Sequence, residues 1–169
     1  MLAQDFGSPS KPKSNAATSS KQNGFKKENL FLGGNLSLQF VSITYVDISP
    51  LVGYNFTERL AGGVGTTYIY LSDKNISFET HVYGGRIFQR FLITPTIFAY
   101  AEEEVLNLEA FDLFPTKRVN VTSVMLGGGF IQRFGENSGI TATILYNFTE
   151  SVYTPYTNPI FRIGIFFGL

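Results

Sequence analysis

Residues 30–169 consist of segments in which apolar and polar residues alternate with a period of two, separated by short stretches of turn-forming residues. This period is typical of β-strands with one apolar face. Most of the segments are long enough to cross a bilayer when tilted, which takes about 9–11 residues. The pattern predicts eight strands, over approximately residues 30–41, 45–56, 59–71, 78–91, 95–107, 119–134, 139–149 and 158–169.

The two faces of these segments distinguish a membrane barrel from a soluble one. In the last segment, Phe161, Ile163 and Ile165 share one face, whereas Arg162 and Gly164 lie on the other. A soluble eight-stranded barrel has the reverse arrangement, with an apolar lumen and a charged exterior. Only 15% of the residues are charged, too few to cover such an exterior. The sequence therefore predicts an all-β, eight-stranded, antiparallel, up-and-down transmembrane β-barrel.

Composition argues against several other classes of protein. The chain has no cysteine, which excludes a disulfide scaffold and a thiolate metal site. Thirteen basic residues balance thirteen acidic ones, so a nucleic-acid partner is not expected. The many aromatic residues and few charges argue against general disorder. We expect no metal and no cofactor.

The N-terminal segment differs from the rest of the chain. Residues 1–29 have no apolar periodicity, and five lysines against Asp5 and Glu28 give them a net charge of +3. The first residues resemble the end of a secretory signal peptide cleaved after Ala3, although an ordinary polar N-terminus is the alternative. We expect residues 1–29 to be a signal-peptide remnant followed by a disordered basic tail, and residues 30–169 to be the transmembrane barrel.

The connections between the predicted strands alternate in length. Those after strands 2, 4 and 6 are short, whereas residues 108–118 and 150–157 form longer ones. Outer-membrane barrels have short periplasmic turns and long external loops. The N-terminal tail is therefore expected in the periplasm.

Several segments resemble a known group of proteins. The C-terminal pattern formed by Gly164, Phe167 and Leu169 resembles the signal that barrel-assembly machinery recognises during biogenesis. Residues 50–57 and 99–109, together with the Tyr-Gly-Gly-Arg sequence at 83–86, resemble small outer-membrane β-barrel proteins of Bacteroidota. More distantly, the architecture is similar to OmpA- and OmpX-type barrels. The resemblance implies integral insertion in outer-membrane lipid, and it supplies no catalytic residue.

Charged residues on the predicted inward face are the strongest candidates for a functional cluster. An isolated charge in a low-dielectric lumen is costly, so these charges are expected to pair. Inward glycines such as Gly63, Gly65 and Gly129 leave room for long side chains to cross the lumen. The network is either a packed polar core or a narrow or gated conductance. Its expected members are Asp47, Arg86, Arg90, Glu102, Glu104, Arg133 and Arg162.

Two further features have alternative interpretations. Aromatic residues in the long loops, Phe111 and Phe114 in one and Tyr153 and Tyr156 in the other, are either interfacial anchors or a partner-binding surface. Glu103 falls on the outward face, where a carboxylate is unfavourable in lipid. It is expected near an interface, beside a charged neighbour, at a protein contact or at a bulge.

The sequence favours a non-enzymatic outer-membrane protein, structural or an accessory subunit of a larger envelope complex. A small channel or transporter for ions or small solutes is the alternative. A rim enzyme is less favoured, because the single histidine, His81, has only Glu79 as a carboxylate neighbour on its face. No phosphate-binding loop or nucleophile elbow is present in the sequence.

Overall fold

Eight antiparallel strands form one closed barrel, which confirms the predicted fold class. The structure is a computed structural model, and it describes residues 26–40, 43–73, 78–110, 117–135, 138–149 and 151–169. Each strand pairs with the next along the chain, and β8 pairs with β1 to close the sheet. The strands are β1 (Leu30–Phe40), β2 (Ile43–Asn55), β3 (Leu60–Asp73), β4 (Phe78–Leu92), β5 (Ile97–Ala110), β6 (Lys117–Arg133), β7 (Ser138–Asn147) and β8 (Ile160–Gly168).

The two ends of the barrel differ in their connections. At one end, which we call the turn end, residues 56–59 join β2 to β3 and residues 93–96 join β4 to β5. A 3-10 turn, Lys27–Asn29, precedes β1 at this end. The opposite end, the loop end, carries the longer connection between β7 and β8. Among the described residues no helix is both long and apolar enough to span a bilayer.

The outward face of the barrel is apolar and is banded by aromatic side chains. Aliphatic residues such as Val64, Ile87 and Ile163 are more than half exposed between the bands. The aromatic band at the turn end contains Phe56, Phe91, Phe130, Phe134 and Phe167. The band at the loop end contains Tyr68, Tyr83, Tyr146, Phe148 and Phe161. The strand alternation thus leaves large apolar side chains on the outside of a closed barrel.

The lumen is filled in layers. Aromatic and aliphatic side chains fill the turn end, among them Phe31, Phe88, Phe98 and Phe166. A second apolar cluster that includes Ile69, Val82, Leu106, Leu108 and Val121 fills the loop end. Between them lies a layer of buried polar and charged side chains, formed by Asp47, Ser49, Thr67, Arg86, Glu102, Glu104, Ser123 and Arg162. An eight-stranded barrel is just wide enough for side chains to fill in this way.

Candidate functional site: a charged layer in the lumen

Glu102 on β5 is the centre of the charged layer. Its Oε1 lies 2.6 Å from Nη1 of Arg162 on β8, and its Oε2 lies 3.6 Å from Nη1 of Arg86 on β4. The Tyr100 hydroxyl also donates a hydrogen bond to Oε2, at 2.9 Å. All three charged side chains are excluded from solvent or nearly so. One carboxylate therefore neutralises two guanidinium groups that reach it from different strands.

Arg86 is held by backbone and amide groups as well as by the carboxylate. Its Nη2 donates to the Ser49 carbonyl at 2.9 Å. With the Asn35 amide oriented so that its oxygen faces the guanidinium, Asn35 accepts from Nη1 and Nη2 at 3.3 and 3.1 Å. The Arg86 Nε is buried and has no hydrogen-bond acceptor in the structure described. Charge-assisted bonds of this kind hold the side chain in one position across the lumen.

Glu104 is satisfied by hydroxyl groups and forms no ion pair with a described side chain. The Thr67 hydroxyl donates to its Oε1, and the Tyr156 hydroxyl donates to its Oε2 at 2.5 Å. Arg86 is its direct ladder partner on β4 but extends to Glu102 instead. Hydrogen bonds to a buried carboxylate compensate for part of its lost hydration. Glu104 thus joins the charged layer through Thr67 and Tyr156.

Asp47 is linked to Arg86 within the layer through Ser49. The Ser49 hydroxyl donates to Asp47 Oδ1 at 2.5 Å, and the carbonyl of the same serine accepts from Arg86. No cation among the described residues lies within ion-pair distance of the Asp47 carboxylate. Ser49 was not among the sequence-predicted site residues, because a serine on the inward face has no pattern that marks it.

Arg90 and Arg133 lie apart from the charged layer, contrary to the expected pairing. Arg90 is directly opposite Tyr100 on β5, and aromatic side chains separate it from the glutamates. Its guanidinium lies over the rings of Phe31 and Phe166, at 5.2 and 5.3 Å from their centroids. Arg133, at the last position of β6, is exposed at the turn end. Both arginines are too close to the turn end to reach the carboxylates.

The glycines on the inward face accommodate the layer. A Cβ added at Gly65 would lie 3.1 Å from Arg86 Nε. At Gly164 it would lie 2.5 Å from the Asn35 side-chain amide and 2.7 Å from Thr141 Oγ1. Larger residues at these positions would therefore displace polar side chains of the lumen.

In β8, Phe167 points outward and Leu169 follows the strand, with its N–H donating to the Leu30 carbonyl at 3.0 Å.

The connection between β7 and β8 directs two tyrosines towards the lumen, whereas Val152 and residues 157–159 are exposed. The Tyr156 ring lies beneath Arg162, whose Cζ is 5.6 Å from the ring centroid, and its hydroxyl binds Glu104. Tyr153 packs against the apolar cluster at the loop end. Tyr156 is therefore bound to the charged layer, a position that neither the anchor nor the partner-surface interpretation anticipates. Phe111 and Phe114 lie outside the described residues, as do residues 1–25.

Glu103 and His81 lie on the outward face. Glu103 is in the middle of β5, with Ile87 and Val124 as its ladder neighbours, and the pairing on both sides is continuous. Its carboxylate has no ion-pair partner among the described side chains, and the strand has no bulge there. The His81 Nδ1 shares a hydrogen bond of 2.8 Å with the Tyr68 hydroxyl, and its ring also contacts Tyr70.

The charged layer holds its side chains in fixed positions between the two apolar clusters. Its carboxylates are occupied by arginines and hydroxyls, and apolar clusters cover it on both sides. Within the described ranges, no three metal-ligating side chains come together. The arrangement holds opposite charges in a water-poor lumen.

Comparison with known proteins gives a match among the solved structures. No family model matches the chain, and no curated protein matches it. The crystal structure of the N-terminal β-barrel domain of Pseudomonas aeruginosa OprF matches with a TM-score of 0.48 and 14% sequence identity. The match covers 82% of this chain and 95% of that domain. The fold assignment accordingly rests on the strand pairing of this chain itself.

Proposed function

We propose that this chain is an integral outer-membrane β-barrel without enzymatic activity, which acts as a structural or accessory subunit in the envelope. The observation that carries the proposal is the polarity of the barrel. Large apolar side chains cover the outside between two aromatic bands, and charged side chains are buried within. Water does not stabilise such an exterior, whereas a bilayer with aromatic girdles at its two interfaces does.

A membrane barrel has a simple experimental signature. The folded protein is expected to require detergent or lipid for solubility and to migrate faster on a gel before boiling than after it. Its outward apolar belt is the physical reason, since detergent or lipid must cover that surface. Recovery of a folded, soluble monomer without detergent would contradict the proposal.

The filled lumen favours a barrel that does not conduct over the alternative of a small channel or transporter. Apolar clusters lie at both ends of the charged layer, and Tyr156 closes the layer from the loop end. Ions entering this path would lose hydration without finding free ligands. Planar-bilayer recordings of the purified protein are expected to show no single-channel conductance. Reproducible conductance steps at physiological salt would favour the channel instead.

Glu103 favours an accessory role within a larger envelope complex. Its carboxylate is exposed on the apolar outward face, and the nearest polar neighbour on β4, Gln89, is opposite Ala101. Its ladder neighbours Ile87 and Val124 are exposed and apolar. We infer that a membrane segment of another protein, with a basic or hydrogen-bond-donating side chain, covers this position in the native envelope. Charge complementarity would then compensate for the carboxylate.

Substitution and crosslinking at this position test the inference. In the isolated barrel, Glu103→Leu is expected to increase the free energy of unfolding by about 1 kcal/mol, since an acidic side chain on the lipid face costs less than the about 2–4 kcal/mol of Lys or Arg. In native membranes, a photo-crosslinker at position 103 is expected to give one protein adduct. The same crosslinker at Ile144, an outward position on β7, is expected to give only lipid adducts. Lipid adducts alone at both positions would contradict an accessory role.

The rim-enzyme alternative receives no support from the position of His81. Its ring is held among tyrosines of the outer surface, and Tyr68 occupies its Nδ1. A general base needs a nucleophile or a water molecule within hydrogen-bond distance in a substrate-binding cleft. His81→Gln is therefore expected to leave any envelope phenotype of the protein unchanged.

A further inference from the structure

A blind cavity opens at the turn end of the barrel, beneath the turn that precedes β1. Its volume is about 570 Å³, within the range of small-molecule binding sites. Phe31, Leu92 and Phe166 belong both to its wall and to the apolar cluster that separates it from the charged layer. The cavity is therefore distinct from the Glu102 network, and we call it the vestibule.

The vestibule has an excess of positive charge. Four cationic residues line it, whereas Glu28 and Glu58 are the acidic residues in its wall. None of the described salt bridges joins these acidic side chains to the cations. The cationic residues are Lys26, Arg59, Arg90 and Arg133.

Arg90 is the buried member of this group, and no carboxylate among the described residues neutralises its charge. The residue is only 9% exposed, yet none of the carboxylates in the described chain lies within ion-pair distance of it. Contacts with the faces of Phe31 and Phe166 stabilise the cation but accept no N–H hydrogen bond. Arg90 lines the vestibule together with Phe31 and Phe166.

We propose that the vestibule binds a small anion with a carboxylate or phosphate group, anchored by the Arg90 guanidinium. A planar guanidinium fits the paired oxygens of such groups with two parallel N–H donors. The low-dielectric walls on both sides strengthen this interaction. Arg133, in the same cavity, supplies a second positive charge.

Calorimetric titration of the full-length, detergent-folded protein tests the site. Inorganic phosphate and succinate serve as probes at constant ionic strength, and chloride serves as the control anion. Saturable binding of phosphate or succinate at one site per barrel is expected, with no saturable binding of chloride. Absence of saturable binding for both probes would overturn the proposal.

Substitutions identify the residues that carry the binding. Arg90→Lys retains the charge but loses the paired donors, so it is expected to weaken binding at least tenfold. Arg133→Gln is expected to weaken it several-fold, and the side chain at this position is exposed. Arg118→Gln is the matched control, because Arg118 pairs with Glu109 on the outer surface near the loop end. Equal affinity in all three variants would overturn the assignment.

A measurement without substitution covers the case in which an Arg90 variant does not fold. Titration of the unaltered protein with phosphate is expected to shift the arginine side-chain NMR resonances of Arg90. Those of Arg162, which is bound to Glu102 behind the apolar cluster, are expected to stay in place. A shift of the Arg162 signals without a change at Arg90 would overturn the proposal.

Discussion

Replacing Glu102 by glutamine removes the one carboxylate that two buried arginines share. The substituted side chain retains the shape of the original and an oxygen that still accepts from Tyr100. Arg162 loses a charge-assisted bond of 2.6 Å, and Arg86 loses an ion pair of 3.6 Å. Removing one partner of a buried pair typically costs about 3–5 kcal/mol, because the other charge stays buried. Since two cations lose their partner here, we expect the upper part of that range.

Double-mutant cycles distinguish the contributions of the two arginines, which lie at different distances from the Glu102 carboxylate. Arg162→Met is expected to recover part of the loss in a Glu102→Gln background, with a coupling free energy of about 2–3 kcal/mol. The same cycle with Arg86→Met is expected to give a smaller coupling. The reason is that Arg86 is farther from the carboxylate and, in the Glu102→Gln background, keeps its hydrogen bond to the Ser49 carbonyl.

Arg90→Met provides the matched control for these cycles. It removes a buried arginine from the same strand as Arg86, but one that has no contact with Glu102 in the structure. Its effect is expected to add to that of Glu102→Gln within about 0.5 kcal/mol. The free energies of unfolding are measured by denaturant titration of the barrel in lipid vesicles. The heat-dependent gel shift reports the folded fraction at each denaturant concentration. Additive behaviour of Arg162 and Glu102, or strong coupling of Arg90 to Glu102, would refute the reasoning.

Two other substitutions probe the lumen. Gly164→Ala is expected to destabilise the barrel by about 1–3 kcal/mol, because its Cβ would crowd the Asn35 amide. Gly85→Ala is its control, since the nearest atom to an added Cβ there is 3.8 Å away, and equal unfolding free energies of the two variants would contradict this packing. Tyr156→Phe removes a donor to the Glu104 carboxylate and is expected to cost about 1–3 kcal/mol in the same unfolding assay. An unchanged stability would mean that the tyrosine does not bind the carboxylate.

The strands and their faces were predictable from the sequence, because successive side chains of a strand point to opposite faces. This alternation does not depend on which strand pairs with it. Arg162 and Gly164 point inward and Ile163 points outward, as the period of two indicates. The ends of strands were less predictable. β5 begins at Ile97 and not at residue 95, because the Ile97 N–H donates to Thr94 Oγ1 at 2.9 Å and closes the turn.

The partners of the lumen charges were not predictable in the same way. Arg86 is opposite Glu104 in the ladder, but it pairs with Glu102, which also binds Arg162 from the far side of the barrel. Contacts across a lumen depend on the tilt and stagger of the strands, which are set only when the barrel closes. No local spacing in the sequence contains that information.

Tyr156 shows the same limit for irregular segments. Its loop has no periodicity from which an inward or outward direction follows, and a tyrosine is suited to an interface as well as to a polar core. Closure of the barrel brings Arg162 and Glu104 close enough together for one tyrosine to contact both. The Tyr156 ring lies against Arg162, and its hydroxyl binds Glu104. The local alternation of residues determined the barrel and its two faces. The closed tertiary structure decided how the lumen is filled, because the groups that meet there come from strands far apart in the chain.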